Sequence, residues 1–176
     1  MALRNRPGHG ALYRVTSDLT ATRAIDRIPL PKNCAWSPDG RQLYLAEGQG
    51  GVLLAFKLGG DGKLGAPKVL LKGTEDIGFP NGIACDAEGG IWVAMFGGWR
   101  ILRVLPNGEI DRVVHLPIPM PTSVTFGGND LRTLFITSTY LRLPPGFSTL
   151  APQSGNLFSL AVDIQGQAPR KFGAIR

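Results

Sequence analysis

Few residues of this 176-residue chain are spaced to do chemistry by themselves. His9 sits in a Gly-rich N-terminal segment and His115 at the end of an apolar run before Pro117. Neither has a second ligand at metal-binding spacing, so a histidine-based metal site is not expected. Ser123 and Ser154 have no nearby histidine to activate them, and no Gly-x-Ser-x-Gly elbow occurs. Gly48-Gln49-Gly50-Gly51 lies between two apolar runs and does not open a helix, which argues against a phosphate cradle. Cys34 and Cys85 form no Cys-x-x-Cys pair and are expected to behave as small buried hydrophobes. The carboxylates Asp39, Asp86 and Glu88 fall in turns or at strand ends, where solvation is the simplest expectation. Any chemistry must come from residues that the fold assembles.

The elements that would do the assembling are short strands. Gly and Pro contribute 24 and 14 residues, nearly double their ordinary combined share of about 12%. With 43% hydrophobic residues, this excess signals turns between buried segments rather than disorder. Apolar runs recur between turn residues that preset φ or tolerate positive φ. They read as hairpins: 11–15 with 21–28, 34–37 with 42–47, 52–58 with 67–72, 82–86 with 91–96, 100–105 with 110–116, and 123–126 with 133–139. A last strand is expected at 156–162. Helical periodicity is almost absent, and no apolar run approaches the roughly 20 residues that span a bilayer. The fold class is all-β.

The hairpins repeat. Aligning NCAWSPDGRQLYLAE, NGIACDAEGGIWVAM and SVTFGGNDLRTLFITS makes Trp36, Cys85 and Phe126 coincide, 49 and 41 residues apart. Four strands per repeat of roughly 40–50 residues is the pattern of propeller blades. The aromatics Trp36, Tyr44, Trp92, Phe126, Phe135 and Phe158 recur at matching positions and are expected to pack between blades. At this period the chain holds about three and a half to four blades. It reads as a single partial propeller domain over 1–176 whose first blade is incomplete. Trp99, after Gly97-Gly98, is placed near the mouth of the central channel.

Charge adds little. The net charge is +6, and the N-terminal excess of Arg4, Arg6, Arg14, Arg23, Arg27 and Lys32 over Asp18 and Asp26 is scattered. A nucleic-acid surface would need a basic face with interleaved aromatics, and no such array occurs. No secretory leader is evident in MALRNRPGHG. No nucleic-acid or membrane partner is expected, and a cytoplasmic location is the default.

Four segments in order resemble one family: residues 36–44, 80–104, 121–139 and 152–172. They are similar to the senescence-marker-protein, regucalcin and gluconolactonase family of six-bladed propellers, of which this chain matches the C-terminal part. The resemblance implies a hydrolase of sugar-type lactones, with a divalent metal, Ca²⁺ or Zn²⁺, in the channel and a base that activates water. It also implies that N-terminal blades carrying a metal-binding Glu and substrate-binding Arg and Asn are missing. The family's metal-binding Asn falls on Lys32, with Asn33 one residue later, and its Asp base falls on Asn81.

Both positions depart from the family pattern. An ammonium at Lys32 would repel a dication, whereas a one-residue slip would present Asn33. Asn81 offers a carbonyl oxygen suited to Ca²⁺ but cannot serve as a carboxylate base. Thr122 holds the equivalent place in the next blade and could line the channel. Asn81 and Asn33 are therefore the candidate metal ligands, and Asn81 the altered catalytic position. The expectation is an impaired or incomplete lactonase, completed by a missing segment or a second copy. The alternative is a non-catalytic propeller fragment or binding scaffold.

Overall fold

The computed structural model describes residues 10–141, 143 and 146–169. Among the described residues, thirteen strands form four antiparallel sheets, and there is one short helix. Strands β1 (Gly10–Val15) and β2 (Ala21–Ile28) make a hairpin. A four-stranded sheet follows from β3 (Pro31–Trp36), β4 (Gln42–Glu47), β5 (Val52–Lys57) and β6 (Lys68–Lys72). The next contains β7 (Phe79–Cys85), β8 (Ile91–Phe96), β9 (Arg100–Val104) and β10 (Ile110–His115). The last contains β11 (Pro121–Gly127), β12 (Thr133–Ser138) and β13 (Leu157–Ala161), with helix α1 (Phe147–Leu150) between the final two strands. Each sheet is a meander, so each strand pairs with its neighbour in sequence.

The apolar positions that alternate along the strands place cores between successive sheets. Tyr44, Leu53 and Leu71 of the first four-stranded sheet pack with Ile83, Val93 and Leu102 of the second. Trp92 and Ile101 of the second pack with Val124, Leu134 and Ile136 of the third. Trp92 and Phe126 meet edge to face at 6.1 Å between centroids and 88°, an arrangement worth about 0.5–1.5 kcal/mol beyond area burial. The β1–β2 hairpin covers Leu43, Leu45 and Phe56 through Leu12 and Ile25.

Two expectations need correction. Asp86 is not solvated: it is 0% exposed. Its carboxylate accepts hydrogen bonds from Glu88 N (3.0 Å), Gly90 N (2.8 Å), Trp92 Nε1 (2.9 Å) and Arg103 Nε (2.8 Å). The turn folds back over its own first residue, so the polar side chain is enclosed together with its donors. Arg103, also buried, further reaches Asp111 (2.8 Å) and Glu88 (3.1 Å). Burial opposes its charge, but the carboxylates of Asp86 and Asp111 outweigh that and raise its pKa. Cys34, in turn, is exposed, whereas Cys85 is buried with its thiol pushed up to about 12 by desolvation.

Candidate functional site

The sheets place β3, β7 and β11 first, and these three strands lie side by side. Each carries a proline at or next to its start: Pro31 and Pro121 are the first residues of β3 and β11, and Pro80 follows Phe79, the first residue of β7. Pro31 and Pro121, each at the first residue of its strand, forfeit no ladder bond within it. Directly after the proline, each strand carries one residue too many. Pro31 and Asn33 pair with the consecutive Glu47 and Ala46, leaving Lys32 extra. Pro80 and Ile83 pair with Met95 and Val93, so Asn81 and Gly82 face one residue. Pro121 and Ser123 pair with Ser138 and Thr137, leaving Thr122 extra. A bulge releases one side chain from the alternation and re-aims it, which is why bulges collect beside functional sites.

Two of the three released positions share a recess. Lys32 and Asn81 line a cavity of about 180 Å³ together with Leu30, Gly48, Phe79, Pro80 and Phe96. Asn81 is half-buried and Lys32 exposed. Asn33 and Thr122 are not among the lining residues. Thr122 Oγ1 instead meets Thr137 Oγ1 at 2.8 Å. The bulge thus presents Lys32 to the recess, while Asn33 resumes pairing opposite Ala46.

Close packing fixes these positions. A Cβ on Gly82 would lie 2.3 Å from Ser123 Cα, so only glycine lets β7 approach β11 this closely. A Cβ on Gly48 would lie 2.5 Å from Lys32 Cε, so that glycine leaves room for the lysine side chain. Buried Glu47 at the end of β4 accepts from Leu30 N (3.0 Å), Gln49 N (2.7 Å) and Gly50 N (2.6 Å). It holds the loop behind Lys32 in place.

At the opposite ends of the inner strands lies a wider recess of about 450 Å³, lined by Cys34, Trp36, Cys85, Thr125, Phe126 and Gln167 among others. Gln167 Nε2 donates to the carbonyls of Trp36 (2.9 Å), Asp86 (3.3 Å) and Cys85 (3.4 Å), so the chain after β13 clips two sheets together. Trp36 is 40% exposed here. Tyr44, Trp92, Phe126 and Phe158 pack between sheets as expected. Trp99 is half-buried with φ of 57° and its carbonyl accepts from Leu116 N at 2.8 Å. His115 is exposed at the end of β10. His9 lies outside the described residues.

The sequence pattern described as the SMP-30/Gluconolactonase/LRE-like region matches residues 1–140. The chain belongs to that family. A 6-deoxy-6-sulfogluconolactonase of Pseudomonas putida is 36% identical over 172 residues, covering 96% of this chain and 58% of that protein. Regucalcin of Xenopus laevis is 30% identical, covering 93% and 56%. The crystal structure of a calcium-binding protein, regucalcin, from Agrobacterium tumefaciens superposes with a TM-score of 0.87 at 27% identity, over 98% of this chain and 59% of that one. The chain therefore folds as part of a propeller and spans less than three fifths of the length of these relatives.

The family's divalent metal can be tested against the donors present. The recess offers one amide oxygen, from Asn81, and one ammonium, from Lys32, and no carboxylate lines it. Among the described residues no group of three His, Cys, Asp or Glu side chains converges. Ca²⁺ takes six to eight oxygen ligands, and a catalytic Zn²⁺ takes about three protein ligands. The described residues do not fit a divalent ion by themselves.

The three proline-led bulges went unread in the sequence. The signal was present, because Pro31-Lys32-Asn33, Pro80-Asn81-Gly82 and Pro121-Thr122-Ser123 repeat at the same 49- and 41-residue spacing as the aromatics.

Proposed function

We propose that this chain forms one substrate-facing arc of a gluconolactonase-like hydrolase of sugar-type lactones, incomplete as a hydrolase in isolation. Family membership and the lactonase names of relatives support the reaction class. The single observation that carries the site is that Asn81, released by a bulge, shares a small recess with Lys32. At about 180 Å³ the recess is smaller than the ~300–1,000 Å³ of drug-sized pockets and suits a ligand of sugar size.

Hydrolysis adds water to the lactone carbonyl and opens the ring C–O bond, giving a hydroxy acid. The Asn81 amide N–H can donate to the lactone's carbonyl oxygen and stabilise the charge that develops there. A base must take the proton of the attacking water, and the arc offers no carboxylate beside Asn81 for that task. The base, and the ligands of any divalent ion such as Ca²⁺ or Zn²⁺, must come from beyond the described residues: further propeller blades or a second copy. The whole reads as one partial propeller domain over 1–176, acting on small lactones in the cytoplasm. The lysine in the recess and the absence of an adjacent carboxylate favour a second reading, a propeller that binds such ligands without turning them over.

Hydrolysis of gluconolactone by the purified chain, followed with Ca²⁺, Zn²⁺, Mn²⁺ or EDTA, separates the two. The hydrolase reading expects a slow rate above the buffer blank that is lost in Asn81→Ala. A folded chain with no rate above the blank that still binds gluconolactone would support the binding reading instead, and a rate indifferent to Asn81 would overturn the assignment of hydrolysis to this recess.

A further inference from the structure

Lys32 is an ammonium without a counter-ion. Among the described residues it makes no ion pair and no hydrogen bond. The carboxylate nearest in register, Glu47 opposite Pro31, is committed to three backbone N–H groups of its own loop. The other walls of the recess, Leu30, Phe79, Pro80 and Phe96, are apolar and offer no compensating charge. A charge beside low-dielectric walls interacts more strongly with an incoming opposite charge than it would on an open surface. Beside it, the Asn81 side chain supplies two donors and an acceptor, the complement a hydroxyl-bearing ligand needs.

We propose that Lys32 makes this recess an anion site, selecting polyhydroxylated ligands that carry a carboxylate-type charge rather than holding a divalent cation. The inference rests on the lactonase reading for the class of ligand, and its charge preference deepens that reading. Two sources share this chemistry. The anion can be the carboxylate released when a sugar lactone opens, or a charge that the lactone already carries elsewhere on its ring. In either case the ligand's charge meets the Lys32 ammonium while a hydroxyl or carbonyl meets Asn81. Gly48 is part of the device, since any side chain there would displace the lysine stem.

Binding to the full 176-residue chain tests this by calorimetry with four probes: gluconate, glucaro-1,4-lactone, neutral glucitol and Ca²⁺ alone. Gluconate should bind at least about tenfold more tightly than glucitol, a difference of about 1.4 kcal/mol, and should weaken as salt rises. Lys32→Gln should lose about that tenfold and Lys32→Arg should keep most of it, with circular dichroism showing both variants folded. Gluconate binding alone supports the ring-opened acid as ligand; glucaro-1,4-lactone binding as well supports a lactone that carries its own charge.

Equal affinity for gluconate and glucitol would overturn the proposal, as would Lys32→Gln binding like wild type. Ca²⁺ binding that tightens in Lys32→Gln and disappears in Asn81→Ala would overturn it in favour of a cation site. The reaction class fails separately. A chain that hydrolyses no lactone yet binds gluconate through Lys32 refutes only the hydrolase reading. A chain that hydrolyses lactone but binds gluconate independently of Lys32 refutes only the anion site.

Discussion

Replacing Asp86 by alanine should be among the most damaging single changes in the chain. The carboxylate is fully buried and accepts from Arg103 Nε at 2.8 Å, Trp92 Nε1 at 2.9 Å, Gly90 N at 2.8 Å and Glu88 N at 3.0 Å. Removing it leaves a buried guanidinium one partner short and strips the indole and Gly90 N–H groups of their acceptor. Breaking a buried ion pair by deleting one member costs about 3–5 kcal/mol. The orphaned donors lie within that figure, because such losses are not additive. With a urea m-value of about 2–3 kcal/mol/M, the unfolding midpoint should fall by about 1–2.5 M.

A double-mutant cycle makes the test specific. Arg103→Met alone should cost about 2–3 kcal/mol, because Asp86 keeps three N–H donors. The double variant should be no less stable than Asp86→Ala, giving a coupling energy of about 2 kcal/mol. A loss below about 1 kcal/mol for Asp86→Ala, or additive single losses, would refute the idea that this turn is held by its enclosed carboxylate.

Two further outcomes follow from buried and paired groups. The Tyr44 hydroxyl is buried with no hydrogen-bond partner among the described residues, and desolvation pushes its pKa up to about 12. Tyr44→Phe should therefore stabilise the chain by about 1 kcal/mol, seen as a melting temperature about 2–4 °C higher; a loss of that size would show that the hydroxyl is satisfied in solution. The hydrogen bond from Arg103 holds the Asp111 carboxyl below its ordinary value of 3.8. Its stabilising contribution is complete above that value and disappears as pH falls through the lowered one. The urea midpoint should drop below about pH 4, and Asp111→Asn should flatten that acid limb; an identical limb in the variant would exclude the pair as its source.

The strand pattern was legible because turn residues and apolar runs alternate cleanly. The hairpins read from sequence coincide with the observed strands, and the repeat linking Trp36, Cys85 and Phe126 matches the ends of the inner strands. What was not legible was the start of those strands. β3, β7 and β11 each begin two or three residues earlier than their apolar cores suggest, because the proline and the bulged residue after it do not obey the two-residue alternation. Two of those bulged residues, Lys32 and Asn81, are the ones that face the recess. Lys32 and Asn81 were singled out by family resemblance, but that Lys32 rather than Asn33 lines the cavity depends on strand register, which composition does not encode.

Asp86 was misjudged for a related reason. An Asp-Ala-Glu-Gly-Gly turn looks exposed in one dimension, and its enclosure needs Trp92 and Arg103, which arrive from the next two strands. The clip by Gln167 likewise joins residues more than 80 positions apart, beyond the reach of any local pattern.

The central claim is that ligand chemistry in this chain belongs to the recess shared by Lys32 and Asn81. Amide chemical-shift mapping of the isotopically labelled chain during titration with gluconate tests it most directly. The account predicts that the largest perturbations fall on Lys32, Gly48, Phe79, Asn81 and Phe96. Perturbations centred on Cys34, Trp36 and Gln167 in the wider recess, or none at saturating gluconate, would contradict it.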